Sequence, residues 1–235
     1  MGEALNRATG SRVGLLVAGV SVLLLEHFVP FGRLALYPFT LLATWVHEMG
    51  HGVGAILAGG GFDHLEINSD ASGIAWTTAV PGWHAAWVCA AGLLAPPFIG
   101  AAILTSARGP KRGGVILTSL AVAMALSIVI WVRSSVGILS MAPLAAILAA
   151  FGLWGGSART MLAQFVGVLL ALDTVARIDY LFMSSAVIGG VKRASDISGV
   201  ADGLGGPQLF WGIVIALLDA ALLIAGLRAA WSPAR

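Results

Sequence analysis

Seven apolar runs, each about as long as a bilayer is thick, recur along this 235-residue chain. A helix rising about 1.5 Å per residue needs roughly 20 residues to cross a hydrocarbon layer of about 30 Å. The runs are Val13–Pro30, Leu36–Leu57, Trp83–Leu104, Val115–Val132, Val136–Trp154, Met161–Phe182 and Leu209–Leu227. Inside a bilayer every backbone N–H and C=O must find a partner within its own segment, so single runs of this kind fold as helices. Charged residues make up 10% of the chain, against about 25% for a soluble domain. That is too little polar surface to cover a globule in water. The prediction is an all-α polytopic membrane protein with six to seven transmembrane helices, forming one domain over residues 1–235.

The connectors between runs are short, such as Arg133-Ser134-Ser135 and Gly155-Gly156-Ser157, and none is long enough for a soluble domain. Arg7 and Arg12 precede the first run, but no small-residue cleavage site follows it, so an uncleaved first membrane helix is expected. The net charge of +2 and the scattered Lys and Arg leave no patch for nucleic acid. The one cysteine, Cys89, excludes an internal disulfide and reads as a small buried hydrophobe.

One stretch breaks the helical pattern. Gly59-Gly60-Gly61 ends the second run, His64 to Asn68 alternates polar and apolar, and Gly73 to Thr78 is rich in strand formers. Ser69-Asp70-Ala71-Ser72 between them is turn chemistry. A β-hairpin is predicted over residues 62–80, directly after the second helix. Its edge would either offer backbone groups to an extended peptide or belong to a plain solvated loop hairpin.

The second run also holds His47-Glu48-Met49-Gly50-His51. Three polar side chains are costly in hydrocarbon, so chemistry is expected to compensate for them. On a helix, residues four apart face the same way, and His47 and His51 can hold one metal ion. Glu48 then stands beside the metal as a base for water. Two histidines are not a complete site, and a third protein ligand must come from another run. Asp173, in the middle of the sixth run, is the favoured candidate, because a cation would offset the expense of a carboxylate there. Its competing role is an ion pair with Arg177, one helical turn later. Asp219, in the middle of the last run, is the alternative. Asp179, near the end of the sixth run, is a further candidate. Glu26 with His27, and His64 and His84, lie near run edges and read as interfacial residues.

With these residues in view, the chain resembles the site-2 protease family of zinc intramembrane metalloproteases, most closely its compact bacterial M50B-like branch. The similarity is carried by His47-Glu48-Met49-Gly50-His51-Gly52, Ala58-Gly59-Gly60, Ser72-Gly73 and Ala91 to Pro96. It continues through Ser195-Asp196-Ile197 to Gly206-Pro207 and Trp211. The resemblance implies Zn2+ held by His47, His51 and an aspartate on a later membrane helix, mapped here to Asp173, with Glu48 activating water. Family members that carry this aspartate in an Asn-Pro-x-Pro-x-x-Asp-Gly setting differ from this chain, where Thr174 follows Asp173. The resemblance further implies a membrane protein or peptide substrate and a multi-pass place in a bacterial cell membrane. The alternative function is a non-proteolytic membrane scaffold containing zinc.

Overall fold

The computed structural model describes Gly19, Ser21 and residues 32–231. The expected first crossing, Val13–Pro30, with Glu26 and His27, otherwise lies outside the described residues. Helix α1 (Gly32–Leu57) leads into strands β1 (Gly61–Ile67) and β2 (Gly73–Thr78). Helices α2 (Trp83–Ser106), α3 (Pro110–Ile130), α4 (Ser135–Trp154) and α5 (Ala158–Ala176) follow. A 3-10 turn (Ile178–Phe182), strands β3 (Ser185–Ile188) and β4 (Val191–Ala194), the short helix α6 (Asp196–Leu204) and helix α7 (Gln208–Trp231) complete the described chain. Five helices, α2 to α5 and α7, are long and apolar enough to cross a membrane. Helix α1 is equally long at 26 residues, with its apolar character diluted by His47, Glu48 and His51. The chain is a polytopic all-α membrane protein, and the hairpin expected after α1 is present.

Two departures from the expected layout matter for function. The sixth run does not stay helical to Phe182. Its helix stops at Ala176, and Arg177 takes φ −121° and ψ 37°, outside the helical region. The chain then forms a second hairpin, β3–β4, and the short helix α6, neither of which was expected.

Helix α2 is the centre of the bundle and packs against α1, α5, α6 and α7. Small residues set its approach to α1: a Cβ on Gly50 would fall 2.6 Å from the Ala91 carbonyl oxygen. Close backbone contact of this kind is how membrane helices gain packing where no hydrophobic force separates protein from lipid. The main core joins α1, the first hairpin, α3 and α4, with Leu42, Leu65, Ile67, Leu117, Met124 and Met141 all but inaccessible. Trp45 on α1 donates its indole N–H to Ser127 Oγ on α3 at 2.8 Å. This core holds α1 and β1 in register, and so fixes what α1 presents to the other side.

The hairpin has one closed edge and one open edge. Leu65 N–H donates to the Trp131 carbonyl at 2.9 Å, and Arg133 N–H donates to the Leu65 carbonyl at 3.0 Å. Both polar groups of Leu65 therefore point away from its partner Ala75. By the same pleat, the N–H and C=O of Ala75 point to the outer edge of β2, and those of Gly73 and Thr77 follow with period two. The closed edge faces the α3–α4 connection. The open one faces the cavity described next.

Candidate metal centre

The four-residue spacing of His47 and His51 puts both imidazoles on one face of α1, ring against ring edge, with centroids 4.6 Å apart. The third group comes from the far end of the chain. Ser195 caps α6 by accepting from Ser198 N–H, and Asp196, the first residue of that helix, projects at the histidines. Asp196 Oδ2 lies 3.0 Å from His47 Nε2, and Asp196 Oδ1 lies 3.3 Å from His51 Nε2. The two Nε2 atoms are 3.0 Å apart. Among the described residues, His47, His51 and Asp196 form a group whose ligand atoms all lie within 4.8 Å of one another.

The geometry and chemistry of this set fit a divalent metal. Ligand atoms about 2.0–2.1 Å from one tetrahedral ion sit roughly 3.3 Å apart, close to the separations here. Two imidazoles and a carboxylate are borderline donors of the kind zinc takes, and three protein ligands leave a fourth position open. The supporting contacts also match. His51 Nδ1 lies 2.8 Å from the Val88 carbonyl oxygen. An N–H donated there leaves Nε2 with its lone pair turned to the other ligands. The Tyr180 hydroxyl donates to Asp196 Oδ2 at 3.1 Å and so positions that carboxylate. Burial works against ionising Asp196, but the His51 and His47 rings hold its carboxyl well below the usual carboxylate range. Burial, together with neighbouring Asp196, pushes the Tyr180 hydroxyl up, so it remains a donor.

Gly92 on α2 makes the space for this arrangement. A Cβ there would lie 2.2 Å from His51 Cε1. Gly92→Ala is expected to swing the His51 ring and weaken divalent-metal binding by at least about tenfold, the scale of lost support to a ligand. A competition titration with a zinc indicator measures this. Parent-like affinity in the variant would show that Gly92 does not set the ring.

Glu48 follows His47 on α1 and is 4% exposed. Gly73 of β2 packs directly on it, since a Cβ at Gly73 would fall 2.6 Å from Glu48 Oε1. The Ala75 N–H, on the open edge, faces the Glu48 carboxylate. A cavity of about 410 Å³ joins the three-residue cluster, Glu48 and that edge.

Asp173, the favoured third candidate from the sequence, stands outside this cluster, whose third member is Asp196. Asp173 lines the same cavity, but its carboxylate accepts from Arg177 Nη2 at 2.5 Å, the competing role that its sequence spacing allowed. Asp219 is buried on α7, facing Asp173 and Thr174, and is also outside the cluster. Asp179 is exposed on the 3-10 turn. His64 pairs with Asp63 at 2.7 Å, and His84 stacks on Trp83, both away from the cluster. Asp196 escaped the reading from sequence because it lies in no apolar run. Its local signal, a capping serine followed by an acid and Ser198, marks a helix start, and the resemblance that includes Ser195-Asp196-Ile197 gives Asp196 no role of its own.

A family described as Peptidase M50B-like matches residues 15–226 of the chain. No curated protein and no solved structure gives a match.

Proposed function

Because the chain belongs to the Peptidase M50B-like family, we propose that it is a zinc-dependent intramembrane peptidase. It hydrolyses peptide bonds of membrane-embedded or membrane-proximal polypeptides, in a bacterial cell membrane. The observation that carries this reading is the convergence of His47, His51 and Asp196 next to a buried glutamate on the same helix. In this reading His47 Nε2, His51 Nε2 and an Asp196 carboxylate oxygen hold the ion. Bound zinc supplies Lewis-acid chemistry, polarising a carbonyl and bringing the pKa of water down towards about 7.

The protein's own groups supply the rest. Glu48 accepts a proton from the attacking water on a carboxylate oxygen, and returns it to the departing amine nitrogen as the C–N bond breaks. Tyr180 keeps Asp196 in one orientation throughout. The substrate's problem is its own helix, which ties up the carbonyl to be attacked. Unwinding frees that carbonyl and leaves unsatisfied backbone groups, which are expensive away from water. The edge of β2 satisfies them by adding the unwound segment as a strand through Gly73, Thr77 and the Ala75 carbonyl, while the Ala75 N–H stays with Glu48. Ala75 faces Glu48, so a segment on that edge runs past the proton-transferring carboxylate.

The test is hydrolysis of unfolded casein by the purified protein in detergent micelles, with zinc content measured by elemental analysis. Stripping the metal with a chelator is expected to abolish cleavage, and stoichiometric zinc to restore it. Equal cleavage by metal-free protein would refute the proposal.

A further inference from the structure

The β3–β4 hairpin has no place in the chemistry so far, yet it walls the cavity. Ala186, Val187 and Ile188 of β3 and Arg193 of β4 line the space that Gly73 and Ala75 line from β2. The two hairpins do not join into one sheet. A lone two-stranded hairpin is marginal by itself, so its attachments decide where it sits.

Those attachments are unequal. At the base, Ser195 N–H donates to the Ser184 carbonyl at 3.2 Å, and Ser195 Oγ–H to the Met183 carbonyl at 2.5 Å. Ser198 Oγ–H adds a third bond to Ser184 at 3.0 Å. The tip has little by comparison. Gly189 N–H donates to Ser72 Oγ at 3.2 Å in an exposed contact. Further along, the Arg193 guanidinium lies 5.5 Å from the centre of the Trp76 ring. The Gly189 bond is exposed, Arg193 is half-buried, and a single contact of either kind is weak.

The tip is also in the way. A strand added to a sheet edge lies about 4.8 Å from its neighbour. Ser72 immediately precedes β2, and Gly189 stands 3.2 Å from its hydroxyl. A segment running along β2 past Gly73 at strand spacing would meet the tip of the second hairpin.

We propose that the β3–β4 hairpin is a strap over the substrate cleft, latched at Ser72 and Trp76, which lifts to admit an extended peptide segment to the open edge of β2. The fixed base keeps Ser195, and with it Asp196, in place while the tip moves. The proposal rests on the peptidase reading for what passes beneath the strap, but the movement itself can be read without turnover.

Cys89 is the reporter, being the one native cysteine, half-buried and on the cavity wall. The lock is the pair Asn68→Cys and Gly189→Cys. A Cβ at Gly189 would lie 3.3 Å from Asn68 Cγ, within disulfide reach, and because φ 56° at Gly189 strains any side chain there, the reduced double variant is the reference for the locked one. Labelling of Cys89 by a polyethylene glycol maleimide is followed by peptide mass spectrometry, before and after reduction and removal of the reductant. The locked protein is expected to label at Cys89 at least about tenfold more slowly than the reduced protein, as a gate would require. Arg193→Ala, which loosens the latch without a disulfide, is expected to label faster than the parent. Zinc content stays at the parent level in both. Equal Cys89 rates in locked and reduced protein, or parent rates in Arg193→Ala, overturn the strap. Casein cleavage is lost in the locked form and regained on reduction. A protein that gates Cys89 as expected, holds zinc and cleaves nothing upholds the strap and fails the peptidase reading instead.

Discussion

Glu48→Gln is expected to keep its zinc and its fold and to lose cleavage by about a thousandfold or more in kcat. That factor corresponds to roughly 4 kcal/mol of transition-state stabilisation, within the range for a general base acting on both proton transfers. The change is nearly isosteric. Gln retains an oxygen for the Ala75 N–H and fits the same contact with Gly73, so the packing around a residue that is 4% exposed survives. What is lost is a site that can accept a proton and give it back. His47, His51 and Asp196 are untouched, so elemental analysis should report parent-like zinc. The experiment also separates the two function classes that the sequence leaves open. A zinc-containing scaffold has no use for a proton acceptor beside its metal, and would tolerate Gln there. Parent-like turnover in the variant would remove Glu48 from the mechanism.

The membrane helices were legible because one physical requirement, enough apolar length to span hydrocarbon, writes itself directly into composition. Their ends were less so. By apolar length Asp173, Arg177 and Asp179 fall within one span, whereas the helix stops at Ala176. The first hairpin was legible because alternation in His64 to Asn68 and turn residues at 69–72 are local signals. The second carried a comparable mark, Gly189-Gly190 between Val187-Ile188 and Val191, with both glycines at positive φ in the structure. The apolar residues Leu181, Phe182 and Met183 just before it mask its start. The two histidines and Glu48 were legible because their spacing is a property of a single helix. Asp196 was not, because its arrival at the site is tertiary: it lies 149 residues from His47, and α6 must fold back against α2 to bring it there. An acid in an apolar run declares its expense in the sequence. An acid at the start of a short helix outside the runs does not.

The exchange of Asp173 for Asp196 gives the second large effect, and it runs in opposite directions at the two positions. Asp196→Asn is expected to weaken zinc binding by at least about a hundredfold, since it takes away one of three donors, while loss of a supporting contact alone costs about 10–100-fold. Asparagine keeps the size of the side chain, and Ser195 still caps the helix by accepting from Ser198 N–H, so the protein should still fold and its loss of metal is not a loss of structure. Cleavage falls with the metal. Asp173→Asn is expected to bind zinc as the parent does. Its carboxylate meets Arg177 outside the cluster, so its loss leaves His47, His51 and Asp196 in place. Asp219→Asn should likewise keep its zinc. The measurement is the zinc dissociation constant of all three variants under one buffer, by competition with a chromophoric chelator. Parent-like affinity in Asp196→Asn together with lost affinity in Asp173→Asn would restore the aspartate of the sixth run as the ligand. It would also mean that the carboxylate 3.0 Å from His47 Nε2 serves only to orient that ring.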